Sequence, residues 1–454
     1  MSTSRRSFIK QMAGAGVALA ASRVSAAQQS QPAAGSQPTS KRSPYSDVRL
    51  AYIGVGGIGG HHIETTTEHG VQCPCYCEVD TKRTENVMKA FPNARGYQDY
   101  RQMFDKEAKN LDAVMIGIPD HQHYPATILA MQLGKHVYTQ KPLTHTVWEA
   151  RQLAEAAKRY KVATQMGNQG HALEGWRLVY EWINGGSLGD ITEVHTWTDR
   201  PIWPQAVEAS EDEDVPPKTL NWDAWLGPAP QRGYRRKAYH PFNWRGYFDF
   251  GCGALGDMAC HTLDGMFWAL DPGAPTSVEP FAGTPATSDS FPKSTIIKWS
   301  YPAKGKRPAF VSYWYDGGLS PTTPAALEMG RKLPSTGNLF IGTKATMLVS
   351  GDYGESPRII PETKMKEIGK PAQMLERSPG HQQEWLMACV GEKPLDFPKS
   401  NFSYAGPFTE AILLGNLALR MGRKLEWDAA AMKFTNVPEA NAFLTKEYRN
   451  GWKF

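Results

Sequence analysis

Three side chains carry the strongest chemical signal in this sequence. Lys141 stands in Thr139-Gln140-Lys141-Pro142, at the end of an apolar run, with a proline fixing the backbone after it. An ammonium held there can hydrogen-bond a reacting oxygen and stabilise the charge that develops on it. Asp257 and His261 stand at i and i+4 in Gly251-Cys-Gly-Ala-Leu-Gly-Asp257-Met-Ala-Cys-His261, so a helix puts both on one face. Histidine accepts a hydroxyl proton near neutral pH, and a neighbouring carboxylate orients the ring and stabilises its charged form. The chemistry these groups suit is oxidation of an alcohol. The structural alternatives are a solvated lysine and a helix cap at Asp257 followed by a core histidine.

The same chemistry needs an electron acceptor, and Gly54-Val55-Gly56-Gly57-Ile58-Gly59 supplies a place for one. The run matches G-x-G-x-x-G, follows an apolar strand and opens a helical pattern, the context in which the motif binds a dinucleotide. Gly54 allows the tight turn, Gly56 lets a diphosphate approach the backbone, Gly59 permits close helix–strand packing, and the amides of Gly57 and Ile58 open the helix. Glu78, in Cys77-Glu78-Val79-Asp80, follows at the spacing of a ribose-binding acid, with Asp80 as its competitor. An acid at that point favours NAD over NADP.

Further polar residues cluster where strands end. Pro119-Asp120-His121-Gln122-His123 reads as a cofactor-side loop, with Pro119, Asp120 and His123 as contacts; it is not read as a metal site because no further ligands follow at suitable spacing. Gln140, Asn168 and Gln169 are expected on the same side, and Arg177, Trp203, Trp244 and Arg245 on the substrate side of the cleft. Trp222, Trp225 and Tyr247 add to an aromatic density that suits either a carbohydrate site or a core. Cys73, Cys75 and Cys77 alternate like one face of a strand, and with Cys252, Cys260 and Cys389 they form neither a disulfide framework nor a zinc pattern.

These residues need a scaffold that brings strand ends together. Residues 48–55, 71–79, 111–119, 136–140 and 162–166 read as strands, with helical spacing at 58–69, 124–135 and 144–161 between them. Such alternation predicts an N-terminal Rossmann-type doubly wound parallel sheet over residues 48–167. Beyond it, a helix at 173–184 and strands at 191–198, 294–301, 309–315 and 339–350 are expected, with helices near 382–390 and 407–421. A long Trp/Pro/Gly-rich stretch at 200–253 interrupts them. Residues 168–454 are therefore expected to be a C-terminal α+β substrate domain on an open, mainly antiparallel sheet.

The chain has 454 residues, enough for two cores, and a formal net charge of +5. Arg5, Arg6, Lys10 and Arg23 lie within the first 26 residues without an acid, which leaves +1 on the remainder and no electrostatic case for nucleic acid. Ser4-Arg5-Arg6-Ser7-Phe8-Ile9-Lys10, a short apolar run and Val24-Ser25-Ala26 read as a twin-arginine export signal over 1–26, followed by a flexible linker over 27–47. The expected location is periplasmic or secreted, without stable membrane insertion.

With these motifs in hand, the chain resembles the Gfo/Idh/MocA family, the glucose-fructose oxidoreductase and inositol dehydrogenase group, from about Val48 to the C-terminus. The points of resemblance are Gly54 to Gly59, Lys141-Pro142, and Asp257 with His261; Gln140 departs from the glutamate of the family's Glu-Lys-Pro signature. The resemblance implies catalytic roles for Lys141, Asp257 and His261, NAD as cofactor, in some members tightly bound, a small-molecule carbohydrate substrate and a homo-oligomer formed through the open sheet. Three functions are expected in order: hydride transfer from a sugar, cyclitol or glycoside hydroxyl; NAD-dependent glycoside hydrolysis by transient oxidation and elimination; and non-catalytic sugar binding.

Overall fold

The computed structural model describes residues 43–208, 212–449 and 451–452. The proposed export signal and residues 27–42 of the proposed linker lie outside them. Residues 43–47, also assigned to the linker, are instead folded: Tyr45 is buried with its ring against His69, and Val48 N–H donates to Tyr45 O at 3.0 Å. The ordered chain therefore begins earlier than composition indicates, because one aromatic side chain anchors an otherwise polar segment.

Six strands form the first sheet: β1 (Leu50–Ile53), β2 (Cys75–Cys77), β3 (Arg95–Tyr97), β4 (Ala113–Ile116), β5 (His136–Gln140) and β6 (Thr164–Gly167). They pair in the order β3-β2-β1-β4-β5-β6, all parallel. β1 and β4 are buried along their whole length, as a parallel sheet covered on both faces requires. Helices α1 (Ile58–Thr67), α2 (Glu85–Ala90), α3 (Tyr100–Glu107), α4 (His123–Gln132) and α5 (Val147–Tyr160) connect them. The strand order reverses between β1 and β4, which opens a crevice at their carboxyl ends. Strand β3 and its neighbouring helices α2 and α3 escape sequence reading because β3 is three residues long and mostly exposed.

Helix α5 starts where it does because Thr146 and Glu149 form a reciprocal capping box: Thr146 Oγ1 accepts from Glu149 N–H at 3.3 Å and Glu149 Oε2 accepts from Thr146 N–H at 3.0 Å. That cap fixes the exit of the Lys141-Pro142 turn. Cys75 and Cys77 enter the core, all six cysteines are free thiols, and no group that could hold a metal occurs among the described residues.

The rest of the chain builds α6 (Glu174–Asn184), β7 (Ile191–Trp197), α7 (Trp222–Leu226), α8 (Gly253–Thr262), α9 (Asp264–Leu270), β8 (Ser277–Gly283), β9 (Thr295–Tyr301), β10 (Phe310–Tyr315), β11 (Gly337–Gly342), β12 (Thr346–Ser350) and β13 (Ser356–Ile360). Then follow α10 (Glu362–Ile368), α11 (His381–Cys389), α12 (Phe402–Met421), β14 (Leu425–Asp428) and β15 (Lys433–Phe434). Nine strands pair as β13-β12-β11-β7-β10-β9-β8-β14-β15; every pair is antiparallel except β7 with β10. The single predicted strand at 339–350 is a hairpin of β11 and β12, turned at Thr343-Lys344. In β9, Thr295, Ile297, Trp299 and Tyr301 face inward, and the intervening residues face outward.

The chain then returns to the first sheet. Trp385 Nε1 of α11 donates to Ala163 O at 3.3 Å, Phe402 N–H to Thr164 Oγ1 at 3.0 Å, and Met166 N–H to Ser400 O at 2.9 Å. Helix α9, which follows α8 directly, packs on the fully buried Trp176 of α6, whose indole abuts Gly265. A Cβ on residue 265 would lie 2.1 Å from that ring. Replacing Gly265 with alanine is therefore expected to cost about 1–3 kcal/mol of stability by overpacking. Urea unfolding checks it, and a variant as stable as the parent would show that Trp176 can shift freely.

Candidate active site

A cleft of about 470 Å³ runs along the carboxyl ends of β1, β2, β4 and β5 and is walled on its far side by the second half of the chain. At one end lie Gly54, Gly56, Gly57 and Ile58; at the other lie Lys141, Asp257 and His261. The nucleotide motif and the three chemical residues thus face a single space.

The glycine end has the geometry of a diphosphate cradle. Gly54 adopts φ 81°, and a Cβ there would meet Gly117 O at 2.4 Å; a Cβ on Gly59 would meet Gly54 O at 2.1 Å. No side chain caps α1 and no acid occupies its first turn, so its amide end is available to an anion. Glu78 Oε2 accepts from Val55 N–H at 3.0 Å and Gly56 N–H at 3.3 Å, while Oε1 accepts from Asp80 N–H at 3.1 Å. Arg83 lies against Gly56, its Nε 2.1 Å from where a Cβ would stand. These residues fit a dinucleotide, with Arg83 adding a cation that the motif alone does not reveal.

At the chemical end, Lys141 Nζ donates to Asp257 Oδ1 at 2.8 Å and to the Asp257 carbonyl at 2.7 Å. Arg245 Nε donates to the same Oδ1 at 3.1 Å. Burial opposes the Asp257 charge, but the two cations outweigh it and hold the carboxyl below the usual aspartate range. His261, on the same face of α8, is buried, and burial with the nearby Lys141 cation keeps it neutral far below the ordinary histidine range. Asp257 makes no hydrogen bond to His261; it clamps Lys141 and Arg245, and its field favours the imidazolium only through space. The expected ring-orienting role is corrected accordingly. The ring meets Tyr353 edge-on at 4.7 Å.

Gln140 Nε2 lies 2.8 Å from His62 Nε2, and Gln140 Oε1 accepts from Lys141 N–H at 3.3 Å. Burial pushes His62 down to about 3, so the ring is a neutral acceptor for the donating amide. A glutamine at this position makes a charge-free pair where a glutamate would bring a buried charge.

Pro119, Asp120, Gln169, Trp203, Trp244 and Arg245 line the cleft as expected. Four other expected contacts do not. His123 is buried with its ring nitrogens 2.6 Å from Pro142 O and 2.8 Å from Ile118 O, so it braces the turn behind Lys141. Asn168 is buried against Ser400, and Arg177 is buried with guanidinium bonds to the His171 and Glu376 carbonyls. Asp80 caps the turn after β2 and faces His240 Nε2 at 3.1 Å. Asn168 and Asp80 belong to the second half's docking onto the first sheet, which no local motif encodes, whereas His123 and Arg177 are held by carbonyls of their own halves.

That docking is extensive beside β2 and at Gln122. Asn221 N–H donates to Val79 O at 2.9 Å, Thr81 N–H to Thr219 O at 3.0 Å, and Gln122 Nε2 to Trp225 O at 2.7 Å. The Trp/Pro/Gly-rich stretch is thus a strap across the carboxyl edge of the sheet. It brings His240 into the cleft wall, where Trp452 also stands, stacked under Arg101 at 3.9 Å.

This is the architecture of a two-domain dinucleotide-dependent protein with its reactive groups at the domain junction. Residues 48–168 match the model of the oxidoreductase family's NAD-binding Rossmann fold, and residues 186–302 that of the family's C-terminal α/β domain. The chain belongs to the Gfo/Idh/MocA oxidoreductase family. Among curated relatives, a glycosyl hydrolase family 109 protein of Shewanella pealeana is 26% identical over 42% of this chain and 45% of its own length. Inositol 2-dehydrogenase of Salmonella paratyphi B is 24% identical over 33% and 45% respectively. The chain spans about half the length of the curated relatives it matches. The crystal structure of the WlbA dehydrogenase from Bordetella pertussis, in complex with NADH and UDP-GlcNAcA, shares the fold with a TM-score of 0.60 at 18% identity, covering 84% of this chain and 99% of that one.

Asp120 gives this site a measurable pH signature. Burial raises its pKa to about 7 against the pull of Arg245 and Lys141, with Asp257 adding repulsion; its Oδ2 accepts from Cys252 N–H at 3.1 Å. A pKa raised on folding stabilises fully below the unfolded value of about 3.9 and loses that contribution as pH rises through about 7. Asp120→Asn is expected to flatten the fall in stability between those limits, leaving the share due to buried Asp316, which is also raised to about 7. Urea midpoints across that range check it; an unchanged slope would show that Asp120 stays ionised.

Proposed function

We propose that the chain is an exported, nicotinamide-dependent oxidoreductase that oxidises a hydroxyl of a sugar, cyclitol or glycoside. The observation that carries this reading is the convergence of Lys141, Asp257 and His261 at the end of the glycine-lined cleft. Lys141 has three N–H donors, of which two are engaged by Asp257; the third is left for the substrate oxygen. As that oxygen gains negative charge, the ammonium stabilises it and the neutral His261 ring takes the proton. Asp257 holds Lys141 in place through two hydrogen bonds, and its field favours the imidazolium that results. When bound, the nicotinamide supplies the electron acceptor for the carbon.

Glu78 at the ribose position supports NAD, and Arg83 is the cation that would work against that preference. The twin-arginine segment supports export, and the outward face of the nine-stranded sheet, with His195 and Tyr313 stacked at 5.0 Å, supports a homo-oligomer. A second reading is redox-neutral glycoside cleavage on a retained dinucleotide, favoured by the relative named as a glycosyl hydrolase family 109 protein.

Nucleotide released on denaturing protein purified without added cofactor tests the first reading and distinguishes NAD from NADP. Near-stoichiometric nucleotide and sugar-dependent reduction support it; a protein that binds neither dinucleotide sinks it. Lys141→Ala is expected to retain nucleotide and lose about 10²–10³-fold in kcat. Release of an aglycone with no added nucleotide and no net reduction would instead establish the second reading.

A further inference from the structure

The substrate end of the cleft exposes several large apolar side chains. Thirteen large hydrophobic side chains are exposed among the described residues, and four of them, Ile58, Ile202, Phe242 and Tyr353, line this one cleft. Ile58 belongs to the glycine end; the other three surround the mouth beside Asp257 and His261. Ile202 is 67% exposed and Phe242 is 42% exposed. Contiguous apolar surface rimmed by polar groups marks a ligand groove.

Phe242 is held in place. Its ring meets Trp203 edge-on at 5.9 Å, and one face lies under the Arg245 guanidinium at 4.5 Å. Arg245 also donates to the Phe242 carbonyl at 3.2 Å and, through Nε, to Asp257. One guanidinium therefore separates the apolar rim from the catalytic carboxylate. A single sugar ring seated at Lys141 and His261 leaves that rim uncovered.

The charges at this end are already paired. Lys141 and Arg245 share Asp257, and Arg200 engages Asp199 and, at 3.6 Å, Asp352. Lys141, Arg245 and Arg200 together are matched in charge by Asp257, Asp199 and Asp352, so the rim carries no net charge to select a carboxylate and its occupant is neutral. Its apolar surface matches the face of a second ring, and Asp352, Arg200 and the Tyr353 hydroxyl, which line the same cleft, offer partners for hydroxyls.

We propose that Phe242 and Ile202 form a subsite for a second, uncharged ring of the substrate, so that the protein takes neutral glycosides, disaccharides among them, in preference to free monosaccharides. The proposal rests on the functional reading above for the ring that reacts. Binding energy from the remote ring is used at the reacting one, so its loss lowers kcat as well as raising KM.

Intrinsic tryptophan fluorescence of the purified protein, with its dinucleotide bound, is titrated with maltose, cellobiose and lactose and with glucose and galactose; turnover is then measured on the same sugars. At least one disaccharide is expected to bind about tenfold more tightly than its parent monosaccharide, with the same preference in kcat/KM. Phe242→Ala and Ile202→Ala are expected to reduce that ratio several-fold, and Phe242→Tyr to restore it. Ile202 is too exposed for its truncation to unfold the core, so its result stands if Phe242→Ala folds poorly. Disaccharides that bind no better than monosaccharides, or a ratio untouched in both alanine variants, overturn the proposal. Failure of the functional reading shows differently, as absence of bound nucleotide and of any sugar oxidation, while the fluorescence ratio still decides the subsite.

Discussion

At the reactive end of the cleft the two halves of this molecule meet on the Asp257 carboxylate, as they do elsewhere through Arg151 with Glu410 and Lys446 with Glu149. The partners of Asp257 come from different places: Lys141 from the end of a parallel strand, Arg245 from the long strap. Removing a carboxylate from water is costly unless cations replace the solvent, and here both must be present to do so. The position of α8, the turn at Lys141-Pro142 and the path of the strap are mutually dependent for that reason. Removing the Asp257 charge would leave two cations without their shared partner beside the reacting oxygen.

The supports around the clamp are mostly buried polar contacts that touch no substrate. His123 braces the Lys141-Pro142 turn through two carbonyls, the Thr146–Glu149 box fixes the next helix, and the Asp120 carboxylate holds the Cys252 amide at the entrance to α8. Each satisfies a backbone group that would otherwise be stranded in the interior. On the Lys141 side these supporting groups are occupied by one another. The mouth is different: Phe242, Ile202 and Tyr353 present apolar surface to solvent.

The strap explains how a common sheet topology acquires a particular enclosure. Strand order and glycine loop suffice for a dinucleotide cradle, but residues 219–240 close over the β2 side of the cleft by bonding to Val79, Thr81 and Asp80 immediately after Glu78. Trp452 reaches the same wall from the far end of the chain. The enclosure is therefore built from sequence outside the nucleotide motif.

Much of this was legible in the residues. The glycine run, Glu78, Lys141, and the i,i+4 pair Asp257 and His261 announce themselves because each is fixed by local backbone geometry: a tight turn, a strand end, one helix face. The parallel sheet follows from apolar runs alternating with helical spacing, with the short, exposed β3 and its neighbouring helices α2 and α3 escaping. What the linear chain does not encode is who pairs with whom across it. Asp257 serves Lys141 and Arg245 and leaves His261 unbonded; His123, Asn168 and Arg177 are drawn into the interior; Arg83, Phe242, Tyr353 and Trp452 enter the cleft from distant segments. Local chemistry determined which groups could react, and long-range packing, which minimises buried unpaired charge and exposed backbone, decided which of them face one another.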